Sequence, residues 1–271
     1  MLFSARAGIA ALVVALAAGL TAPVAVAAPS HDRRAVVAKA TLTANRATVL
    51  SANRVVLSGK VKPAKRGTVV LLQKRVRDAT KWETEVRLKT GRGGAFRYVD
   101  KPARGGVRLY RVVVPKTATV KQGVSKPVKV TVYRWQSLTA VKVRAQTATS
   151  VVDRVMINAA GYSPALLGYR DYYREGFYDW NLNRACRELR TRIGNSDDSD
   201  DRAIANVSLV ADGTSVYARS FGLAESEVTT VSLTGVLRLA FRWTSTNPDG
   251  TPDDQTGASA TLAEPRVLCA F

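Results

Sequence analysis

Between Val55 and Val132 apolar and charged residues alternate with a period of two. Val55, Leu57 and Val61 are interleaved with Ser58, Lys60 and Lys62, and Trp82, Thr84, Val86 and Leu88 with Glu83, Glu85, Arg87 and Lys89. Phe96 and Tyr98 flank Arg97, Tyr110 and Val112 flank Arg111, and Val128, Val130 and Val132 flank Lys129 and Thr131. One apolar face and one charged face is what a half-buried antiparallel strand requires. Turns are expected at Lys65-Arg66-Gly67, at 91–94 and at Arg104-Gly105-Gly106. About seven short strands at this spacing predict a β-sandwich.

A polar junction rich in Thr, Ala and Ser runs from Gln136 to Ser150, with room for the first strand of a second domain. The period of two then returns. Leu237, Leu239, Phe241 and Trp243 alternate with Arg238, Ala240 and Arg242, and 216–221 and 228–233 read the same way. Helical periodicity is weak; one short helical turn is expected within Asp171 to Leu189. The expected fold class is all-β: two β-sandwich domains, over 38–135 and 150–271, after a signal peptide.

That signal peptide is read over 1–27. Arg6 precedes an apolar run from Ala7 to Leu20, and Ala25-Val26-Ala27 is a small-x-small cleavage pattern. The run is short of the roughly 20 apolar residues of a membrane span. The mature chain is therefore expected to be secreted, to work outside the cell or at the cell wall, and to lack a transmembrane segment.

Charge divides the chain. Positions 31–137 hold 26 Lys and Arg against 5 Asp and Glu, a surplus of 21; positions 150–271 hold 12 Arg against 16 Asp and Glu, a deficit of 4. Such a break marks a domain boundary. The basic half suits anionic wall polymers, acidic polysaccharides or a membrane surface, or is a solvated face with no partner. Its cations are dispersed and no nucleic-acid motif is present, so no nucleic acid is expected. The chain has two cysteines, Cys186 and Cys269, and one histidine, His31. An even pair in an exported chain points to a disulfide; two cysteines without a nearby histidine make a poor zinc site.

The run from Trp180 to Gly213 has a characteristic order: Trp180-Asn181-Leu182, then Ile193-Gly194 before Asp197-Asp198-Ser199, then Asp212-Gly213. Val231-Ser232-Leu233-Thr234-Gly235-Val236-Leu237-Arg238-Leu239 follows. This order resembles the NPCBM (novel putative carbohydrate-binding module) domain over about 155–271. The resemblance implies a jelly-roll-like sandwich and a sugar-binding role without catalysis. The family usually carries an aromatic residue shortly before its last strand, where this chain has Leu262. The stretch from Val55 to Tyr133 resembles bacterial immunoglobulin-like or fibronectin type III-like modules.

Candidate chemistry follows two clusters. Asp197, Asp198, Asp200 and Asp201 form an acidic turn that could hold calcium, which takes six to eight oxygens, or be solvated. A second acidic loop holds Asn247, Asp249, Thr251, Asp253 and Asp254, without the glutamate an EF-hand would place at Ala258. Aromatic residues crowd Tyr162 to Trp180; Tyr169, Arg170, Tyr172, Tyr173 and Tyr178 are the expected carbohydrate contacts, with core packing as the other reading. No Ser-His-Asp set or nucleotide loop is present. The expected function is a secreted, non-catalytic carbohydrate-binding protein with a basic spacer or wall anchor. The alternative is a structural or adhesion protein whose second domain makes protein contacts.

Overall fold

The computed structural model describes residues 35–168, 175–251 and 257–271; the expected leader over 1–27 lies outside them. The first sandwich uses Val55–Lys62 (β1), Val69–Val76 (β2), Glu83–Lys89 (β3), Ala95–Asp100 (β4), Gly106–Val114 (β5) and Val128–Ser137 (β6). β1 pairs with β4 and with two short strands, Lys39–Ala40 and Thr43–Ala44, to make one layer. The other layer runs β3-β2-β5-β6. The core between them holds Val55, Leu57 and Val61 of β1, Val70 and Leu72 of β2, Tyr110 and Val112 of β5, and Val130 and Val132 of β6. These are the apolar members of the alternating pattern.

Trp82 departs from that pattern. Leu72 pairs with Val86 and Gln73 with Thr84, so Glu85 is an extra residue on β3. A bulge of this kind resets which side chains face inward. Trp82 lies outside the core, with the guanidinium groups of Arg75 and Arg111 at 5.1 and 4.2 Å from its ring. Tyr110 is fully buried and its hydroxyl donates to Asp100. Burial first, then that hydrogen bond and the Asp100 charge, push the phenol well above its ordinary range.

The second sandwich uses Val143–Thr147 (β7), Thr149–Val152 (β8), Val155–Ile157 (β9), Ala160–Tyr162 (β10), Ala165–Gly168 (β11) and Glu175–Asn181 (β12). It continues with Cys186–Asn195 (β13), Ile204–Ala211 (β14), Thr214–Phe221 (β15), Ser226–Ser232 (β16), Arg238–Thr246 (β17) and Ala260–Cys269 (β18). One sheet runs β7-β12-β17-β14-β15. The opposing layer is β8-β11-β18-β13-β16, and β9 and β10 form a separate hairpin. Trp180, Leu189, Ile193, Phe241, Trp243, Leu262 and Val267 fill the space between the sheets. The helical turn expected within Asp171 to Leu189 is absent from its described part, which is β12, a tight turn and the start of β13. Among the described residues there is no α-helix, so the chain is all-β.

The two sandwiches share a strand. Val128 to Val132 of β6 pairs with β5 of the first sandwich, and Arg134 to Ser137 pairs with Cys269 to Arg266 of β18 in the second. The junction that follows is packed: Leu138 is fully buried in the second core, and β7 and β8 complete the segment. Cys186 and Cys269 stand opposite each other on β13 and β18 and are bonded. Cys269 also pairs with Arg134 of β6, so the disulfide sits where the two sandwiches meet.

Candidate functional site

The outward face of the five-stranded sheet is formed by the residues that its core-facing neighbours leave over. Leu239, Phe241 and Trp243 of β17 point inward with Trp180 and Tyr178 of β12 and with Val207 and Leu209 of β14. Alternation then places Phe177, Arg242, Thr244, Asn206 and Ser208 on the other side. The pairing register aligns them in rows. Thr147 stands opposite Phe177, Phe177 opposite Arg242, Arg242 opposite Ser208, and Ser208 opposite Ala218. A second row runs Glu175, Thr244, Asn206 and Ser220.

These rows line a groove of about 670 Å³. Neighbouring strands are about 4.8 Å apart, so a row across five of them runs about 19 Å, the scale of a short oligosaccharide. Small side chains at Ser208, Ala218 and Ser220 give it depth. The Arg242 guanidinium lies 5.5 Å from the centre of the Phe177 ring. Asn206 is oriented from both sides: its Nδ2 donates to Thr246 Oγ1 at 2.9 Å, and its Oδ1 accepts from Ser220 Oγ at 2.5 Å. The groove thus offers the outward Phe177 ring with the buried Trp243 beneath it, hydroxyls, an amide, Arg242, and Arg219, which is paired with Glu227; Glu175 is the one carboxylate among its described lining residues.

The expected sugar contacts fall elsewhere. Tyr169, Arg170, Tyr172 and Tyr173 lie outside the described residues. Tyr178 is a correction: it is buried, 4.9 Å from the Trp180 ring, and burial raises its phenol above the ordinary value. Because side chains alternate along β12, a buried Trp180 makes Tyr178 inward-facing and Phe177 outward-facing. That parity could have identified Phe177 from sequence. Thr147, Asn206, Ser208, Ser220 and Arg242 carry no comparable local signal. Leu262, at the place where the resembled family has an aromatic residue, is fully buried and serves packing.

The acidic turn does not fit a calcium site. The Asp197 carboxylate accepts the backbone N–H groups of Asn158 at 2.6 Å and Ala159 at 2.8 Å, the turn between β9 and β10. Both turn residues have positive φ, 50° and 58°, as a two-residue hairpin turn demands. Asp200 accepts from the Gly257 N–H at 2.6 Å. Between them Ser199 donates to Asn195 and accepts from the Ser259 N–H, tying the turn to the start of β18. Asp198 also has an interaction partner, and Asp201 is exposed. Among the described residues no three of His, Cys, Asp and Glu are gathered as a metal would need. In the second loop Asp249 Oδ1 accepts from the Thr251 side chain and backbone, which lowers its carboxyl pKa; Asp253 and Asp254 lie outside the described residues. Asp197→Ala is therefore expected to cost about 1–2 kcal/mol of stability, equally with chelator or with calcium. Thermal melts of the two proteins in both buffers check this; a loss seen only with calcium would restore the metal reading.

Among the described residues no helix is long and apolar enough to cross a membrane. No protein-family model matches the chain, and no curated protein sequence does. The NPCBM resemblance therefore stands on its quoted motifs alone. Solved structures do match in part. The CBM51-2 and INT domains of Clostridium perfringens ZmpB share 11% identity over 61% of this chain, with a TM-score of 0.37. This chain spans 38% of the length of that one. The CBM51 of Clostridium perfringens GH95, in complex with methyl-galactose, shares 8% identity over 49% of this chain and 99% of its own, with a TM-score of 0.37. A CBM36 carbohydrate-binding module in complex with calcium and xylotriose shares 12% identity over 49% of this chain and 98% of its own, with a TM-score of 0.23.

Proposed function

We propose that this chain is a secreted, non-catalytic carbohydrate-binding protein whose second sandwich takes a glycan on the outward face of its five-stranded sheet. The observation that carries this reading is the pair of aligned rows, which sets an aromatic ring beside donors and acceptors along a groove about as long as a short oligosaccharide. Sugar hydroxyls both donate and accept, so a mixed lining of hydroxyl, amide and guanidinium groups suits them. A ring against the apolar face of a sugar adds burial without charge. Glu175 is the one carboxylate among the groove's described lining residues, whereas glycoside hydrolysis ordinarily uses two. The basic first sandwich serves as a spacer and an anchor to anionic wall polymers. Export is supported by the leader-like pattern at 1–27.

A glycan array run on the mature chain tests this. Phe177→Ala and Arg242→Ala are each expected to weaken the retained glycan about tenfold or more, about 1.4 kcal/mol, with unchanged melting. Retention that survives both substitutions removes the groove from the reading. A blank array beside a captured protein partner favours the adhesion role.

A further inference from the structure

We propose that the cleft between the two sandwiches is a binding site for an acidic polysaccharide. The proposal rests on the anchoring half of the reading above and gives it a location. The cleft is about 1200 Å³ and takes its walls from both sandwiches. The turn after β2 and the loop before β5 supply Arg77 and Arg104; the segment before β7 and the turn after β12 supply Lys142 and Arg184. All four are exposed, and among the described residues no carboxylate lies within ion-pair distance of any of them. Lys74 and Arg108 also line the cleft but are engaged by Glu85 and Asp100. The cleft's own side-chain carboxylates are Asp78 and Glu83, so its side chains number six cations to two anions.

Two features select a sugar chain among polyanions. Gln136, Asn181 and Asn183 line the same cleft, and side-chain amides pair with hydroxyls in both senses. Stacking surfaces of the kind that hold unpaired nucleic-acid bases are scarce: Phe271 is the one aromatic residue among the described lining. The walls are also held in fixed relation. β6 runs through both sandwiches, and Gly105 lies so close to the second sandwich that a Cβ there would be 2.9 Å from the Phe271 carbonyl oxygen. Cations fixed on two facing walls meet successive charges of one polymer, where a small anion would meet one wall.

The full mature chain is titrated with a polygalacturonate oligosaccharide and with a heparin oligosaccharide, at low and at raised salt. Arg104→Glu with Lys142→Glu is compared with Arg87→Glu with Lys89→Glu, the same charge change on exposed positions of β3 outside the cleft. The cleft variant is expected to lose about tenfold or more in affinity and to bind with a shallower salt dependence. The β3 variant is expected to stay within about twofold. The two probes distinguish carboxylate from sulfate as the preferred anion. Arg104→Gln with Lys142→Gln should fall in the same direction, which guards against misfolding by introduced acids. Equal losses in the cleft and β3 variants would overturn the proposal in favour of a diffuse basic field. Absent binding of both probes, unaffected cleft variants, or equally tight binding of single-stranded DNA would also overturn it. Retention of neutral glycans by the Phe177 groove is read separately, so failure there leaves this result standing.

Discussion

Replacing Cys186 and Cys269 together by alanine is expected to lower stability by about 4–5 kcal/mol. The bond joins residues 83 apart, and closing a loop of that length in the unfolded chain removes entropy of about that worth. For a chain of this size the melting temperature should fall by roughly 10 °C. The position of the bond sharpens the expectation. Cys269 is paired with Cys186 on one side and with Arg134 of β6 on the other, so the cross-link closes the three-strand seam shared by the sandwiches. One cooperative transition, shifted as a whole, is the expected calorimetric trace. A shift of less than about 2 °C would show that the seam holds without the bond. Two separated transitions in the bonded protein would show that β6 does not couple the sandwiches.

The bond was legible in the sequence because only two cysteines exist and the leader-like pattern at 1–27 reads as export to an oxidising compartment. The strands were legible for a similar reason: an alternating set such as Val128, Val130 and Val132 has one face to bury, and no other element buries it as well. Three features were not. The bulge at Glu85 moves Trp82 out of the core through a pairing partner, Gln73, that local alternation does not contain. The acidic turn reads as a ligand site because its composition is all that is visible; the groups its carboxylates hold are the N–H of Asn158, Ala159 and Gly257, roughly 40 and 60 residues away in the chain. The change of charge after Ser137 falls between two buried clusters. Yet β6 passes straight through that break, because Arg134 to Ser137 finds its partner strand at 266–269. Pairing at such sequence separation is set by the assembled sheet. The groove has the same origin: Phe177, Arg242, Ser208 and Ala218 become neighbours only through register.

Trp243→Ala is expected to cost about 3–5 kcal/mol and to abolish glycan retention at the groove. The ring is almost wholly buried directly beneath the outward rows, and its Nε1 donates to Thr149 Oγ1 at 2.9 Å. Truncation of a buried tryptophan loses its transfer energy and leaves a cavity, and it strands the buried Thr149 hydroxyl. The backbone on either side has been shaped to this ring. A Cβ on Gly168 would meet Trp243 Cε2 at 2.5 Å, and one on Gly176 would meet Trp243 Nε1 at 2.6 Å and the Thr147 carbonyl oxygen at 2.7 Å. Gly176→Ala alone should therefore destabilise by about 1–3 kcal/mol through overpacking. In the Trp243→Ala background the same substitution should cost less, because one of its two obstacles is gone while the Thr147 carbonyl remains. The coupling between the two sites should be about 1 kcal/mol, within the range for residues in contact. Urea melts of the four proteins measure it. Additive costs would mean that the β12 backbone moves away from the ring freely. The groove would then owe its form to the sheet alone, and glycan retention should survive the loss of Trp243 wherever the protein remains folded.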